Sequence, residues 1–312
     1  MRKLILLLLL LPFLSSAQKT YVPDDNFEQL LINLGYDNIL DDSVLTQSID
    51  TITFIVLDNL NISDLIGIED FTSLETLLCS GNNLVTLDVS NNLNLIEFDC
   101  SDNNLITLDV SANSALRELF CSENPLTNLI LNDTSLFRIY CSHTSLNTIN
   151  LSNNSNLEVA VLGNCNLSSI NLNGAVKLNF LYIENNNLNL LDITTNINLE
   201  ILYAVNNNLS SLDLRNGNNI NLFLNAKQNP NLTCISVDDT VWANTNWTAG
   251  NNIDSQHYFS EDCNSTNIKE VKESKQILRI VDVLGKEIPY KKNTPLFYLY
   301  NDGTVEKKII ID

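Results

Sequence analysis

The chain has 312 residues, 44% of them apolar, and a formal net charge of −20 at pH 7. The apolar content suffices for a sizeable core, while nine glycines and six prolines are too few for long disordered linkers. An anionic chain repels phosphate backbones, which excludes nucleic acid as a partner; a solubilising surface is the favoured interpretation, and cationic partners or divalent cations stay open.

The first 17 residues have the pattern of a secretory signal peptide. Arg2 and Lys3 precede an apolar run, 4–11, that is too short to span a bilayer, and small residues at 15–17 suit a signal peptidase. We therefore predict cleavage after Ala17 and export of the mature chain, which is then soluble or held at a surface by something other than its own helix. No later segment has the apolar length that a transmembrane helix needs.

Residues 18–51 predict a small helical cap at the N-terminal end. Asp25 and Glu28 have the spacing of a capping box, and Gly35 supplies a helix stop. The apolar residues between them recur at helical spacing: Phe27, Leu30, Leu31 and Leu34.

Residues 52–232 contain an internal repeat of about 21 residues, in about eight turns. A copy reads Leu-x-x-Leu-x-Cys-x-x-Asn-x-Leu and continues, in the best examples, with Leu-Asp-Val-Ser. One copy cannot bury its apolar residues alone, so neighbouring copies must stack around a shared core. The copies begin at Leu74, Leu95, Leu116, Leu136, Leu157, Leu178 and Leu199, with a divergent one near Ile52 and a partial one near Asn221.

This spacing is the pattern of leucine-rich repeats. It predicts an α/β-type solenoid dominated by β structure, namely a leucine-rich-repeat horseshoe. Short parallel strands about 4.8 Å apart would form its inner side. A small N-terminal helical cap and a small C-terminal β domain complete the predicted fold.

Cysteine replaces the third leucine of the pattern in four turns, at Cys79, Cys100, Cys121 and Cys141. Together with Leu77–Ser80 and Leu87–Asn92, this feature resembles the 21-residue cysteine-ladder repeats of the internalin-J type of bacterial surface protein. The resemblance covers roughly residues 52–232 and implies a curved, right-handed solenoid used for adhesion or recognition. It implies no particular ligand.

The cysteines and asparagines of the repeat are interpreted as structural ladders. The cysteines point the same way from successive strands and have no histidine among them, whereas a zinc site needs four converging ligands. We expect small buried hydrophobes there. The asparagine amides can bond backbone groups where the chain leaves each strand. That column contains Asn82, Asn103, Asn124, Asn186, Asn207 and Asn229, with Thr144 and Cys165 as substitutes in two turns.

The outward strand positions form two columns that are predicted to line the concave face. A contiguous exposed apolar patch marks an interaction surface, although aromatic residues also favour strands and stack along sheets. The early turns place acidic residues on this face: Glu97, Asp99, Asp102, Glu118 and Glu123. The predicted ligand-binding residues are Phe120, Tyr140, Val161, Phe180, Tyr182, Ile201, Tyr203 and Phe223.

Beyond the last repeat, Cys234 and Cys263 flank Trp242 and Trp247. In an exported chain this pair predicts one disulfide, which would seal the open end of the solenoid within a cap spanning 233–267.

Residues 268–312 break the repeat and are slightly basic, unlike the acidic body, which marks a domain boundary. Alternating apolar residues and turns at Gly285 and Gly303 predict a small β unit. The stretches Ile280–Glu287 and Pro295–Ile311 resemble the C-terminal sorting domain of the type IX secretion system of Gram-negative bacteria. That resemblance implies the type IX machinery as a partner. It also implies export through the periplasm to the extracellular space or the outer cell surface. The Tyr-Pro-Asn-Pro opening of longer members is absent, so removal of the domain stays open.

The sequence contains no H-E-x-x-H, G-x-S-x-G, G-x-G-x-x-G or P-loop motif. Neither His143 nor His257 has a nucleophile and an orienting acid at a suggestive spacing. We therefore predict no enzyme activity, no cofactor and no metal site. The aspartates of the Leu-Asp steps are interpreted as part of the repeat and not as a calcium site: Asp88, Asp109, Asp192 and Asp213.

We expect a surface recognition or adhesion protein that binds a protein partner through its concave face. A glycan-binding module, with tyrosines stacked on sugar rings, is the alternative. A structural spacer is a second alternative, and a hydrolase is the least favoured.

Overall fold

The computed structural model describes residues 18–131, 136–263, 277–289, 293–301 and 303–309. The chain divides into two compact units, Met1–Cys263 and Asn264–Asp312. The predicted signal peptide, 1–17, lies outside the described residues. Within those ranges, no helix combines the length and the apolar character needed to cross a membrane.

A small cap precedes the repeats. Phe27 stacks on Phe71 of the first turn with ring centroids 6.0 Å apart, so the cap covers the apolar end of the solenoid. Gly35, at a φ of +82°, follows the main helix as predicted. The elements of the cap are β1 (Lys19–Tyr21), α1 (Asp25–Asn33), β2 (Ser43–Leu45) and α2 (Thr46–Ile49), with β1 and β2 antiparallel.

The predicted capping box is wrong by one residue. Asp24, not Asp25, is the N-cap: its Oδ1 accepts hydrogen bonds from the backbone N–H groups of Asn26 and Phe27 at 3.0 and 3.1 Å. The side chain of Glu28 does not reach back to the cap but binds the backbone of residues 41–43. The helix start is therefore secured by one carboxylate that also contacts the first turn.

A nine-stranded parallel sheet runs along the repeats, with one three-residue strand per turn. A leucine-rich-repeat-like parallel solenoid is confirmed, and its length of about 10 turns corrects the predicted count of about eight. Numbered in chain order, its strands are β3 (Phe54–Val56), β4 (Thr76–Leu78), β5 (Glu97–Asp99), β7 (Glu118–Phe120), β9 (Arg138–Tyr140), β11 (Val159–Val161), β13 (Phe180–Tyr182), β15 (Ile201–Tyr203) and β17 (Phe223–Asn225).

The second half of most turns adds another short strand, which the sequence analysis missed. These strands pair in parallel as three small sheets, β6–β8, β10–β12 and β14–β16–β18–β19. They are β6 (Thr107–Asp109), β8 (Asn128–Ile130), β10 (Thr148–Asn150), β12 (Ser169–Asn171), β14 (Leu190–Asp192), β16 (Ser211–Asp213), β18 (Cys234–Ser236) and β19 (Tyr258–Ser260).

The aspartates of the Leu-Asp steps close turns in this second half. Each accepts a hydrogen bond from the backbone N–H two residues further on, which is an Asx turn. The donors to Asp88, Asp109, Asp192 and Asp213 are the N–H groups of Ser90, Ser111, Thr194 and Arg215, at 2.8–3.0 Å.

Each strand of the nine-stranded sheet buries its central residue. Burial of one such leucine or isoleucine stabilises the fold by roughly 1.5–3 kcal/mol. Because the strands pair in register, these residues form one continuous row of the core: Ile55, Leu77, Phe98, Leu119, Ile139, Ala160, Leu181, Leu202 and Leu224.

The asparagine after each strand joins neighbouring turns. In Asn186, Nδ2 donates to the carbonyl of Ile183 in its own turn and to that of Leu162 in the preceding turn, at 3.1 and 2.8 Å. Its Oδ1 accepts from the N–H of Leu167 at 2.8 Å. Cys165, which replaces asparagine, donates only through Sγ, to the carbonyls of Cys141 and Gly163. Asparagine thus satisfies both donors and acceptors that would otherwise be buried without a partner.

The ladder cysteines are buried thiols. Burial raises the pKa of the thiols of Cys79 and Cys100 well above the usual range. A hydrogen bond with Cys141, together with burial, does the same for the pKa of Cys121. Since the thiolate is the reactive form, these side chains behave as small hydrophobes.

The C-terminal end of the repeats is covered by α3 (Thr240–Asn246), between β18 and β19. Trp247 follows α3, is almost fully buried, and donates from Nε1 to the carbonyl of Leu222 at 3.3 Å. A disulfide joins Cys234 of β18 to Cys263, which closes a 29-residue separation.

The second unit contains a three-stranded antiparallel sheet in the order β20–β21–β22. Gly285 and Gly303 adopt φ values of +77° and +79°. The central strand buries Leu296, Tyr298 and Tyr300 on one face. The three strands are β20 (Ile277–Val281), β21 (Leu296–Tyr300) and β22 (Val305–Lys308).

The Asp24 carboxylate makes the cap sensitive to acid. Burial raises the pKa of this carboxyl. Hydrogen bonds from Ser63, Phe27 and Asp64 together lower it by more, so the net pKa lies below the ordinary value of 3.8. Because the folded pKa is the lower one, the carboxylate stabilises the fold above pH 3.8, and this contribution is lost as the pH falls through the folded value.

Asp24→Asn is therefore expected to lower the free energy of unfolding by about 1–3 kcal/mol at pH 7, because Asn26, Ser63 and Asp64 lose a charged acceptor. The difference between the two proteins should shrink below about pH 4. Urea denaturation at several pH values measures this difference. Asp25→Asn, one residue away and outside the cap bond, is the control; an equal cost for both changes contradicts the assignment.

Candidate binding face

The outward residues of the nine-stranded sheet form two straight columns. We call this surface the strand face; it is the surface that the sequence analysis expects to be concave. Parallel pairing sets Glu97 beside Glu118 and Phe120 beside Tyr140, as the sequence columns predict. One column contains Val56, Leu78, Asp99, Phe120, Tyr140, Val161, Tyr182, Tyr203 and Asn225. The other contains Phe54, Thr76, Glu97, Glu118, Arg138, Val159, Phe180, Ile201 and Phe223.

Aromatic side chains stack along the later strands. The rings of Phe120 and Tyr140 are 5.0 Å apart and nearly parallel, and those of Tyr182 and Tyr203 are 5.2 Å apart. Phe223 extends the second stack at 5.5 Å and is 48% exposed. Burial by these neighbours raises the pKa of Tyr182. The stacks fix the ring positions, so little side-chain entropy remains to be lost when a partner binds.

The early strands carry the acidic residues of the strand face. Arg138 pairs with Glu118 at 3.2 Å and is the only cation in the two columns. Within the part of the chain that the structure describes, neither Glu97 nor Asp99 forms an ion pair. The face is thus anionic at β5 and apolar from β11 onward.

Asp102 and Glu123, which the sequence analysis assigns to this face, stand three residues beyond the ends of β5 and β7 and are not members of the two columns. Each precedes a ladder asparagine and has a positive φ, at 53° and 55°. His143 occupies the same position, with Nε2 3.8 Å from Glu123. Sequence reasoning missed this left-handed column; its signal is the frequent Gly, Asn or Asp before the ladder position. Its members are Gly81, Asp102, Glu123, His143, Asn164, Asn185, Asn206 and Gln228.

Two other groups of polar residues have a structural role: a carboxylate cluster in the N-terminal cap and a histidine in the C-terminal cap. The carboxylates of Glu28, Asp37 and Asp41 lie within 4.8 Å of one another. Glu28 accepts three backbone hydrogen bonds from residues 41–43, and Asp41 binds Lys19, so this group holds the cap together.

His257 is buried in the C-terminal cap. Its Nε2 lies 3.4 Å from the carbonyl of Asn229 and 3.8 Å from the carboxylate of Asp254. These contacts join the cap to the last ladder asparagine.

The fold, the asparagine ladder and the cysteine ladder together define a leucine-rich-repeat solenoid that is similar to internalin J. Over 72 residues the chain is 35% identical to internalin J of Listeria monocytogenes serotype 4b (strain F2365). This match spans 23% of the chain and only 8% of that protein. No protein-family profile matches the chain. The resemblance predicted from the repeat is confirmed to this extent.

One solved structure shows the same fold, and a second aligns less closely. Internalin C2 of L. monocytogenes strain 4b F2365 aligns over 71% of this chain and 98% of its own, with 20% identity and a TM-score of 0.50. The functional domain of InlJ from L. monocytogenes, which includes a cysteine ladder, aligns over 71% and 68%, with 23% identity and a TM-score of 0.37. The first of these likenesses shows the fold alone.

Proposed function

We propose that the chain is an exported recognition protein that binds a protein partner on its strand face. The observation that carries the proposal is the partly exposed stack of Tyr182, Tyr203 and Phe223. Tyrosine is a frequent anchor of protein interfaces, and an exposed apolar patch is a solubility liability unless something covers it. Binding, and not catalysis, is the function that this surface supports.

A protein partner fits this surface better than a glycan. A sugar ring needs a broad open aromatic face, whereas Tyr203 lies between Tyr182 and Phe223, 5.2 and 5.5 Å from their ring centroids. Phe120 and Tyr140 each cover one face of the other at 5.0 Å. The apolar surface that stays exposed suits apolar side chains of a protein.

Export and display at the outer surface complete the proposal. They rest on the signal-peptide pattern of residues 1–17 and on the resemblance of 268–312 to a type IX sorting domain. Horseshoe curvature, with the strand face on its concave side, belongs to the same proposal.

Changing Tyr140, Tyr182, Tyr203 and Phe223 together to alanine is expected to weaken binding of a captured surface protein by roughly 100-fold or more, because several anchors are removed at once. The purified wild-type and variant proteins are screened in parallel against a surface-protein extract and a glycan array. Affinity is then measured for each ligand found.

The matched control changes Ile106, Ile130 and Leu190 to alanine, three exposed apolar residues away from the strand face. Circular dichroism checks that all proteins are folded. If both variants bind a ligand equally well, the binding site lies outside the strand face. A glycan that is lost in the aromatic variant favours the glycan-binding module. Absence of any ligand favours a structural spacer.

A further inference from the structure

The aromatic ladder is interrupted at one strand. Tyr140 ends the first stack and Tyr182 begins the second, and between them β11 presents only Val159 and Val161. The outward side chains of β11 therefore rise less far above the sheet than those of β9 and β13. We call this feature the β11 notch: Val159 and Val161 form its floor, and Tyr140 and Tyr182 form its walls.

The notch has the width of one missing ring. Tyr140 and Tyr182 are two strands apart, which is about 9.6 Å. Half of that gap is about 4.8 Å, close to the 5.0 Å and 5.2 Å centroid distances within the two stacks. Because each stack runs along the strand-pairing direction, the wall rings turn their faces toward the notch. A flat ring placed over Val161 would complete one continuous ladder from Phe120 to Tyr203.

The negative charge near the notch indicates which other side chain the bound segment carries. Glu97 and Asp99 lie on β5, three strands from β11, which is about 14 Å away. Neither carboxylate has an ion-pair partner in the described chain. The whole chain carries a net charge of −20, so a cationic segment is attracted at long range as well.

We propose that the partner inserts an aromatic side chain into the β11 notch and places a basic side chain on Glu97 and Asp99. An extended chain covers about 14 Å in roughly four residues. The recognised segment therefore carries its basic and aromatic residues about four positions apart. This inference rests on the proposed function, since it names the chemistry of a partner for the same face.

The test uses three synthetic 12-residue peptides and the purified full chain. The matched peptide has two lysines four residues before one tryptophan; the second has the same composition with lysines next to tryptophan; the third has glutamate in place of lysine. Calorimetry at low salt is expected to give a Kd for the matched peptide at least about tenfold lower than for the others. Its affinity should fall as salt is added.

Two pairs of variants locate the contacts. Val161→Phe fills the notch and should weaken the matched peptide about tenfold or more without lowering the Tm. Val56→Phe, in the same column at β3, is the control and should bind like the wild type. Glu97→Gln with Asp99→Asn should abolish the preference for the matched spacing.

For the charge change, Glu75→Gln with Glu200→Gln is the control, because it removes the same charge beside the strand face and not on it. The proposal is overturned if Val161→Phe binds the matched peptide as tightly as the wild type. It is also overturned if spacing has no effect, if the matched peptide fails to bind at roughly 1 mM, or if a neutral disaccharide occupies the notch instead.

The two proposals fail separately. If a captured surface protein is lost in the four-residue alanine variant but kept by Val161→Phe, the notch proposal fails and the strand face remains the binding site. If both variants keep the protein, the proposed function fails as well.

Discussion

Replacing Asn103 with alanine is expected to lower the free energy of unfolding by about 2–4 kcal/mol, because the buried N–H of Leu84 loses its partner and three backbone carbonyls each lose one of two hydrogen bonds. Asn103 Nδ2 donates to the carbonyls of Cys79, Cys100 and Ser101 at 3.0–3.1 Å. Its Oδ1 accepts from the N–H of Leu84 at 3.0 Å. Alanine makes none of these bonds.

Asn104→Ala is the matched control, since Asn104 is exposed and outside the ladder; its cost should stay within about 0.5 kcal/mol. Asn103→Thr should fall between the two, because a hydroxyl has one donor where the amide has two. Thr144, in the same column, makes a 3.5 Å bond to the carbonyl of Cys141. Urea denaturation followed by circular dichroism orders the three variants. Equal costs at positions 103 and 104 would show that the ladder does not stabilise the repeats.

The repeat columns were predictable because the spacing of the repeat fixes the register. Leu77, Phe98 and Leu119 stand 21 residues apart, and parallel pairing then sets their neighbours side by side. Once the inward residue of a strand is known, the alternation of the strand gives the outward ones. The two outward columns follow from this rule, and the structure pairs them as the sequence indicates.

Long-range contacts explain the error at the N-terminal cap. Asp25 and Glu28 satisfy the local spacing of a capping box, but Glu28 binds backbone N–H groups of residues 41–43. Asp24 is then the residue that also accepts from Ser63 in the first turn. A local pattern contains no information about partners 13–15 or 39 residues away.

The β11 notch was not visible in the sequence for a different reason. The sequence analysis predicted the column position of Val161 but not its importance. A valine among aromatic residues can equally be a substitution that has no effect on binding. Only the orientation of the neighbouring rings shows that one ring is missing. The left-handed column was hidden because Gly81, Asp102 and His143 share a backbone conformation and not a side-chain type.

Removing the disulfide with Cys234→Ser and Cys263→Ser is expected to cost roughly 3–4 kcal/mol, which is the loop entropy of a closure of this length. Fluorescence-detected denaturation in the presence and absence of reductant measures the cost. Reductant should destabilise the wild type and leave the variant unchanged. Thiol labelling of the unfolded wild type should find five free cysteines of the seven in the chain. A count of seven would contradict the bond.

The loss of stability on removal of the disulfide should appear first at the C-terminal end of the solenoid. β19 is the edge strand of its sheet and is held by pairing with β18 and by the covalent link after it. A solenoid turn contacts only its neighbours, so an end that opens exposes the next turn without disturbing distant ones. Hydrogen exchange in the variant should therefore quicken across 234–263 while β4, β5 and β7 keep their protection. Uniform loss of protection would mean instead that the disulfide stabilises the solenoid as one cooperative unit.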